Sequence, residues 1–208
     1  MFWSRRGSLG IEGAKGSLWL LSLALLAAFL LLGRSAASAS PLPIDRWGLR
    51  FFGHATRLAA AFTLTGYAGF LTTAIVVACA VAAFARSLAE AEAIVIAAQL
   101  ISQAAVRLVK PSFGRARPAE WLFRQELDFS YPSGHAVTAV TFYGGWLALV
   151  VHGALPLPIK TVLCVALSLW IAGIGWSRIA LGAHHLSDVL GGALLGGAFL
   201  SAELALFP

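Results

Sequence analysis

The chain alternates long uncharged stretches with short charged ones, and that alternation leaves few folds open. Leu58 to Ala85 runs 28 residues without a charge, and Leu18–Leu32, Gly134–Leu155, Ile159–Ile179 and Leu186–Leu206 are nearly as apolar. A membrane-spanning helix needs about 20 predominantly apolar residues, so 208 residues hold six spans and leave roughly 88 for loops and ends. Composition agrees, with 59% hydrophobic and 12% charged residues against about 25% charged in a soluble domain. A disordered chain, a disulfide-rich secreted scaffold and a water-soluble globule are excluded. The sequence predicts an all-α integral membrane bundle of about six transmembrane helices. Its net charge of +6 sits between the apolar runs, as membrane flanks or an anion site, and implies no nucleic acid. Cys79 and Cys164 lie deep in apolar stretches and read as small core residues.

Arg5, Arg6 and Lys15 precede the first apolar run, and Arg34 to Ser40 follow it. Ala37-Ser38-Ala39 is a candidate signal-peptide cleavage site, but more spans follow, which favours a retained first span. Trp47 stands among Asp45, Arg46, Arg50, His54 and Arg57, a pattern for an interfacial segment. Residues 1–57 are thus the first span and interfacial segment, and residues 58–208 a helical core. The second span falls in the later two-thirds of Leu58–Ala85. The third, from Glu90 to about Val109, carries Gln99, Ser102, Gln103 and Arg107, and so polar a helix should face protein. Lys110 to Ser133 is a long polar loop of the size that usually carries function.

Three polar clusters interrupt the apolar pattern: Lys110 to Arg117-Pro118, Tyr131-Pro132-Ser133-Gly134-His135, and Ser177-Arg178 followed by His184 and Asp188. They fall after span three, at the start of span four, and between spans five and six. Crossing parity puts all three at one membrane face. Lys110, Arg117 and Arg178 bring cations together there, and a bound anion is their natural partner. Arginine offers a planar fork for phosphate oxygens and lysine a point charge. Pro132-Ser133-Gly134 reads as a helix start, with Ser133 as N-cap and Gly134 allowing close backbone approach. His184 and Asp188 are four apart and would share a helix face, the carboxylate bonding one ring nitrogen and leaving the other free. An anion cradle with two histidines suggests phosphoryl transfer through a phosphohistidine, without separating His135 from His184 as nucleophile.

Lys110-x6-Arg117-Pro118, Pro132-Ser133-Gly134-His135 and Ser177-Arg178-x5-His184-x3-Asp188 together resemble the three-part signature of the type 2 phosphatidic acid phosphatase (PAP2) superfamily. The resemblance implies a six-helix membrane fold and metal-independent hydrolysis of a phosphomonoester or diphosphate, with no cofactor. It implies His184 as nucleophile, Asp188 as the residue that orients it, and His135 as acid and then base. Lys110, Arg117, Arg178, Ser133 and the Gly134 amide would hold the phosphate. The implied substrate is a lipid phosphate at the bilayer surface: undecaprenyl diphosphate, phosphatidylglycerol phosphate, phosphatidic acid or a lipid A phosphate. A lipid phosphotransferase using the same site is the nearest alternative; a vanadium haloperoxidase and a non-catalytic lipid-binding or transport protein are others.

Other residues read more plainly. Arg115 and Arg124 are expected to be flank charges or headgroup contacts. Arg107 would extend the basic pocket or pair with Glu120 or Glu126. His185 would be a neighbour at the mouth, His54 and His152 interfacial, and Trp121 and Phe123 interface anchors. The surrounding cations oppose a metal site made of His135, His184, His185 and Asp188. Gly192 and Gly196 should let a neighbouring helix approach the one carrying Asp188. With the amino end inside, Arg5, Arg6, Lys15, Arg86 and Lys160 face inward, and the other ten basic residues face outward. That count opposes the positive-inside rule, but the first helix's flank often dominates, and several outer cations belong to the phosphate site. An active face toward the periplasm or exterior of a bacterial inner membrane is expected.

Overall fold

The computed structural model describes residues 8–37, 41–52, 57–84, 89–119 and 126–207, without the side chains of 8–11 and 77–84. Arg5, Arg6, His54, Arg86, Glu120, Trp121, Phe123, Arg124 and the side chain of Cys79 lie outside this set. Among the described residues every regular element is a helix. In order these are α1 (Ser8–Ala36), α2 (Pro43–Phe52), α3 (Arg57–Leu64), α4 (Ala68–Phe84), α5 (Ala89–Phe113), α6 (Gly134–Thr138), a π-helical turn (Ala139–Tyr143), α7 (Gly144–His152), α8 (Leu157–Ala180) and α9 (Leu186–Leu206).

Among the described residues five rods are long and apolar enough to cross a membrane: Glu12–Ala36, Ala89–Phe113, Gly134–His152, Leu157–Ala180 and Leu186–Leu206. A sixth is made by α3 and α4 taken together, bent at 54°, and α4 falls in the later two-thirds of Leu58–Ala85 where the second span was expected. The break lies at Thr65-Gly66-Tyr67, and Gly66 explains its place. A Cβ there would stand 2.3 Å from Cδ2 of His135, so only glycine lets the turn close over that ring.

Helix α9 is the hub. It packs along α1, where Ser22 Oγ donates to Ala198 O at 2.9 Å. It also meets α6 through glycines. A Cβ on Gly192 would lie 2.5 Å from Ser133 O, and one on Gly196 2.9 Å from Val137 O. Both glycines therefore serve the close packing expected of them. Helix α5 turns its polar stripe inward, with Gln99 and Ser102 buried. Gln99 Nε2 and Gln103 Nε2 donate to Thr138 Oγ1 at 2.9 and 3.0 Å. Arg107 is exposed and does not extend the basic pocket.

Helix α5 also outruns its expected end at Val109, taking Lys110 into its last turns and closing at Phe113. An aromatic cluster holds this extension. The Phe113 ring lies 5.6 Å from Phe29 and 4.8 Å from Tyr131, and Tyr131 OH donates to Phe29 O at 2.6 Å. These contacts fix α1, the end of α5 and the Tyr131–His135 segment to one another.

Candidate active site

Helix ends place the site. Lys110 comes from the last turns of α5, His135 from the first turn of α6, Arg178 from the end of α8 and Asp188 from the first turn of α9. His184 lies in the turn between α8 and α9, where its N–H donates to Arg178 O at 3.1 Å. His184 and Asp188 are thus not on one helix face, contrary to the i,i+4 reading. Asp188 instead reaches back, accepting the His185 N–H at 2.8 Å. The clusters read from the sequence do meet at one end of the bundle.

The His184 ring is buried between a cation and a hydroxyl. Arg117 Nη1 lies 3.1 Å from Nε2 and 2.9 Å from Ala183 O. On the other side, Ser130 Oγ is 3.4 Å from Nδ1 and donates to Asp188 Oδ2 at 2.5 Å. Asp188 Oδ2 itself stands 3.6 Å from Nδ1, too far for the direct hydrogen bond expected. The serine stands between them. Arginine can only donate, so this network assigns the proton to Nδ1 and leaves a lone pair on Nε2. Burial, reinforced by the charges of Arg117, Arg178 and Lys110, holds the His184 ring well below the usual histidine range. The ring is therefore neutral at pH 7.

Behind Asp188 stands a second layer that overturns the reading of Arg115 as a flank charge. Arg115 is buried. Its Nη1 donates to Asp188 Oδ1 at 2.5 Å and to Ser187 Oγ at 2.6 Å, and its Nη2 to Asp45 Oδ2 at 2.6 Å. Asp45, on interfacial helix α2, also accepts from Ser187 N at 2.9 Å and Ser187 Oγ at 2.6 Å. Burial raises the Asp45 carboxyl, but the hydrogen bonds from Ser187 and Arg115 outweigh it and hold it below the ordinary value. A buried ion pair persists where such bonds satisfy both partners.

The His135 side differs. Its ring stands edge-on to Tyr67, centroids 4.6 Å apart. Among the described residues Nε2 of His135, Oγ of Ser133 and Nε of Arg178 are buried without a partner. Ser133 occupies the N-cap position of α6, but its hydroxyl makes no capping bond; its N–H instead donates to Asp188 O at 3.0 Å. Gly134 follows, its carbonyl accepting from Gln103 Nε2 at 3.3 Å.

Lys110, Arg117 and Arg178 gather around two carboxylates absent from the sequence reading of the site. Asp128 takes Lys110 Nζ at 2.6 Å and also Arg117 Nη2. Glu126, one of the partners considered for Arg107, takes Arg117 Nη2 at 2.8 Å and Arg178 Nη2 at 2.6 Å. Arg178 also donates to Thr63 Oγ1. His185 lines the same pocket as His184, with Arg46 and Pro118.

Such a bundle, with cations and two imidazoles gathered at one end, defines a polytopic helical membrane protein with an oxyanion-type site. Residues 91–208 match the family described as the PAP2 superfamily, more than half of the 208 residues, and the chain belongs to that family. A lipid A 1-phosphatase of Rhizobium etli is 32% identical over 102 residues, covering 44% of this chain and 40% of that protein. A lipid A 1-phosphatase of Rhizobium johnstonii is 31% identical over 102 residues, covering 44% of this chain and 38% of that protein. The chain spans about two-fifths of the length of these relatives. In fold it is similar to the crystal structure of a transmembrane PAP2 type phosphatidylglycerolphosphate phosphatase from Bacillus subtilis. The TM-score is 0.73 at 24% identity, over 86% of this chain and 92% of that one.

Proposed function

We propose that this protein hydrolyses a phosphomonoester or diphosphate of a membrane lipid, through a phosphohistidine on His184. The observation that carries the reading is the position of His184 Nε2, 3.1 Å from Arg117 Nη1, at the end of the bundle where Lys110 and Arg178 share carboxylate partners with Arg117. His184 Nε2 attacks phosphorus in line, and the bond from phosphorus to the ester oxygen breaks. His135 gives an Nε2 proton to that leaving oxygen. Water then attacks the phosphohistidine, His135 takes the water's proton, and the nitrogen–phosphorus bond breaks to release phosphate. Lys110, Arg117, Arg178, Ser133 and the Gly134 amide stabilise the oxygens throughout. Asp188, acting through Ser130, keeps the Nδ1 proton in place.

A lipid substrate is supported by the wall of the pocket. Ile179 and Leu186 line both the pocket containing His184 and an apolar cavity of about 300 Å³ toward Phe52, Ile171, Trp176 and Val189. A tail in that cavity leaves its headgroup at the histidine. Undecaprenyl diphosphate, phosphatidylglycerol phosphate, phosphatidic acid and a lipid A phosphate all have this build. We place the protein in a bacterial inner membrane with residues 1–57 retained as first span and interfacial segment, and the site facing the periplasm or exterior. The test is phosphate release from these lipids in detergent. Activity should persist with a chelator, and His184→Ala should lose it by about 10⁴-fold or more. Alkaline quenching of labelled substrate should trap a phosphoenzyme in the parent alone. Full turnover in His184→Ala refutes the nucleophile.

A further inference from the structure

Each cation assigned to the phosphate already holds a carboxylate of its own chain. Glu126 spans Arg117 and Arg178 with its two oxygens, and Asp128 spans Lys110 and Arg117 with its own. Side-chain exposure shows which partner can leave. Lys110, Arg117 and Arg178 are 7%, 6% and 1% exposed, whereas Glu126 is 21% and Asp128 54% exposed. Both acids stand on a stretch outside any helix, with Leu127 between them fully exposed. Burial raises the Asp128 carboxyl, but hydrogen bonds from Lys110 and Arg117 outweigh it and hold it below the ordinary range. It is a genuine counter-anion at neutral pH.

We propose that Glu126 and Asp128 are a resident stand-in for the dianionic phosphate group that must displace them, and so set the affinity that an anion needs to enter this site. This rests on the hydrolase reading only for the identity of the displacing group. Two carboxylates supply two negative charges to the three cations. A phosphomonoester dianion or a terminal diphosphate restores the same balance when the carboxylates swing out. A phosphodiester, with one negative charge, leaves an uncompensated buried cation and binds more weakly. Displacement also frees Arg117 to follow the phosphate away from His184 Nε2, which it occupies at 3.1 Å. The nucleophile is thereby exposed only when a ligand of the right charge arrives.

The test compares the whole protein in detergent with Glu126→Gln, Asp128→Asn and the double variant. Calorimetric binding of inorganic phosphate near pH 8, mostly a dianion, and of dimethyl phosphate, a monoanion, needs no turnover. Phosphate should bind roughly tenfold tighter to the double variant, the scale of one charge-assisted contact. Dimethyl phosphate should gain by no more than this factor, because the displaced carboxylates are common to both anions, and it should remain the weaker ligand. Unchanged or weaker phosphate binding in Asp128→Asn, the more exposed and more tolerant position, overturns the proposal. It would mean that the acids hold the arginines in place for the ligand. Tighter binding without lipid phosphate hydrolysis by the parent keeps this inference and removes the hydrolase reading. Hydrolysis by the parent with unaltered anion binding in the variants does the reverse.

Discussion

Asp188, Arg115, Ser187 and Asp45 exchange hydrogen bonds with one another. In the same site His135 Nε2, Ser133 Oγ and Arg178 Nε are buried with no partner among the described residues. Buried polar atoms are costly when unmatched, so a fold that saturates one side and leaves the other open divides two tasks. The saturated side spends its bonds on orientation, fixing the His184 tautomer before any ligand arrives. The open side keeps its capacity for groups that appear only during reaction. Redundancy should follow the same division. Removing one member of the network leaves others to share the load, whereas nothing replaces His135.

The sharpest way to break this comparison is His135→Asn. Turnover should fall about 10²–10⁴-fold on a lipid phosphate, the range for a lost general acid–base. An activated aryl phosphate has a leaving oxygen that needs no proton. It should still phosphorylate His184 in this variant, so a burst equal to the enzyme concentration should precede slow release. A variant that loses the burst along with turnover would place His135 in the first step even for good leaving groups. The acid-then-base assignment would then fail.

Ser130→Ala probes the saturated side with a smaller expected effect. Among the described residues its hydroxyl reaches both His184 Nδ1 and Asp188 Oδ2, which themselves stand 3.6 Å apart. Its loss should lower kcat roughly tenfold with little change in KM, because orientation suffers while the cradle persists. Arg115 and the His185 N–H still hold Asp188, so the effect should stay below that of His135→Asn. An unchanged kcat would mean that Asp188 acts across the gap directly.

The cations and histidines of the site were the more legible in the sequence. Lys110, His135, Arg178 and His184 interrupt apolar runs, where charge is expensive and demands a reason, and span parity put them at one face. Gly192 and Gly196 were readable for the same local cause. The saturated side was not. Arg115 stands two residues from Arg117 in one basic run, yet its partner Asp45 is 70 positions away. No spacing rule spans that distance. One signal was present: Asp45 and Gly48 lie three apart and are buried on one face of the amphipathic α2. An acid beside a glycine on an inward face calls for a buried cation. Ser130 gave no signal, since its role depends on a gap between two other side chains. Glu126 and Asp128 were visible as acids in a basic loop, but which cations they hold is set by the fold.

Asp45→Asn tests whether the outermost member of the saturated network acts chiefly as a strut. Arg115 keeps its bonds to Asp188 and Ser187 in this variant, so turnover should fall only a few-fold, a modest loss of orientation. Stability should suffer more, because breaking a buried ion pair costs about 3–5 kcal/mol. The pH dependence separates the lost charge from lost packing. The folded carboxyl of Asp45 titrates below its unfolded value. Its contribution is therefore fully present above the unfolded value near pH 4 and is lost as pH falls through the lower folded value. Thermal unfolding in detergent should show a wide gap between parent and variant at pH 7 that narrows below about pH 4. A gap that stays constant with pH would assign the effect to shape and the hydrogen bond from Ser187. Arg115 would then need only Asp188 as its anchor.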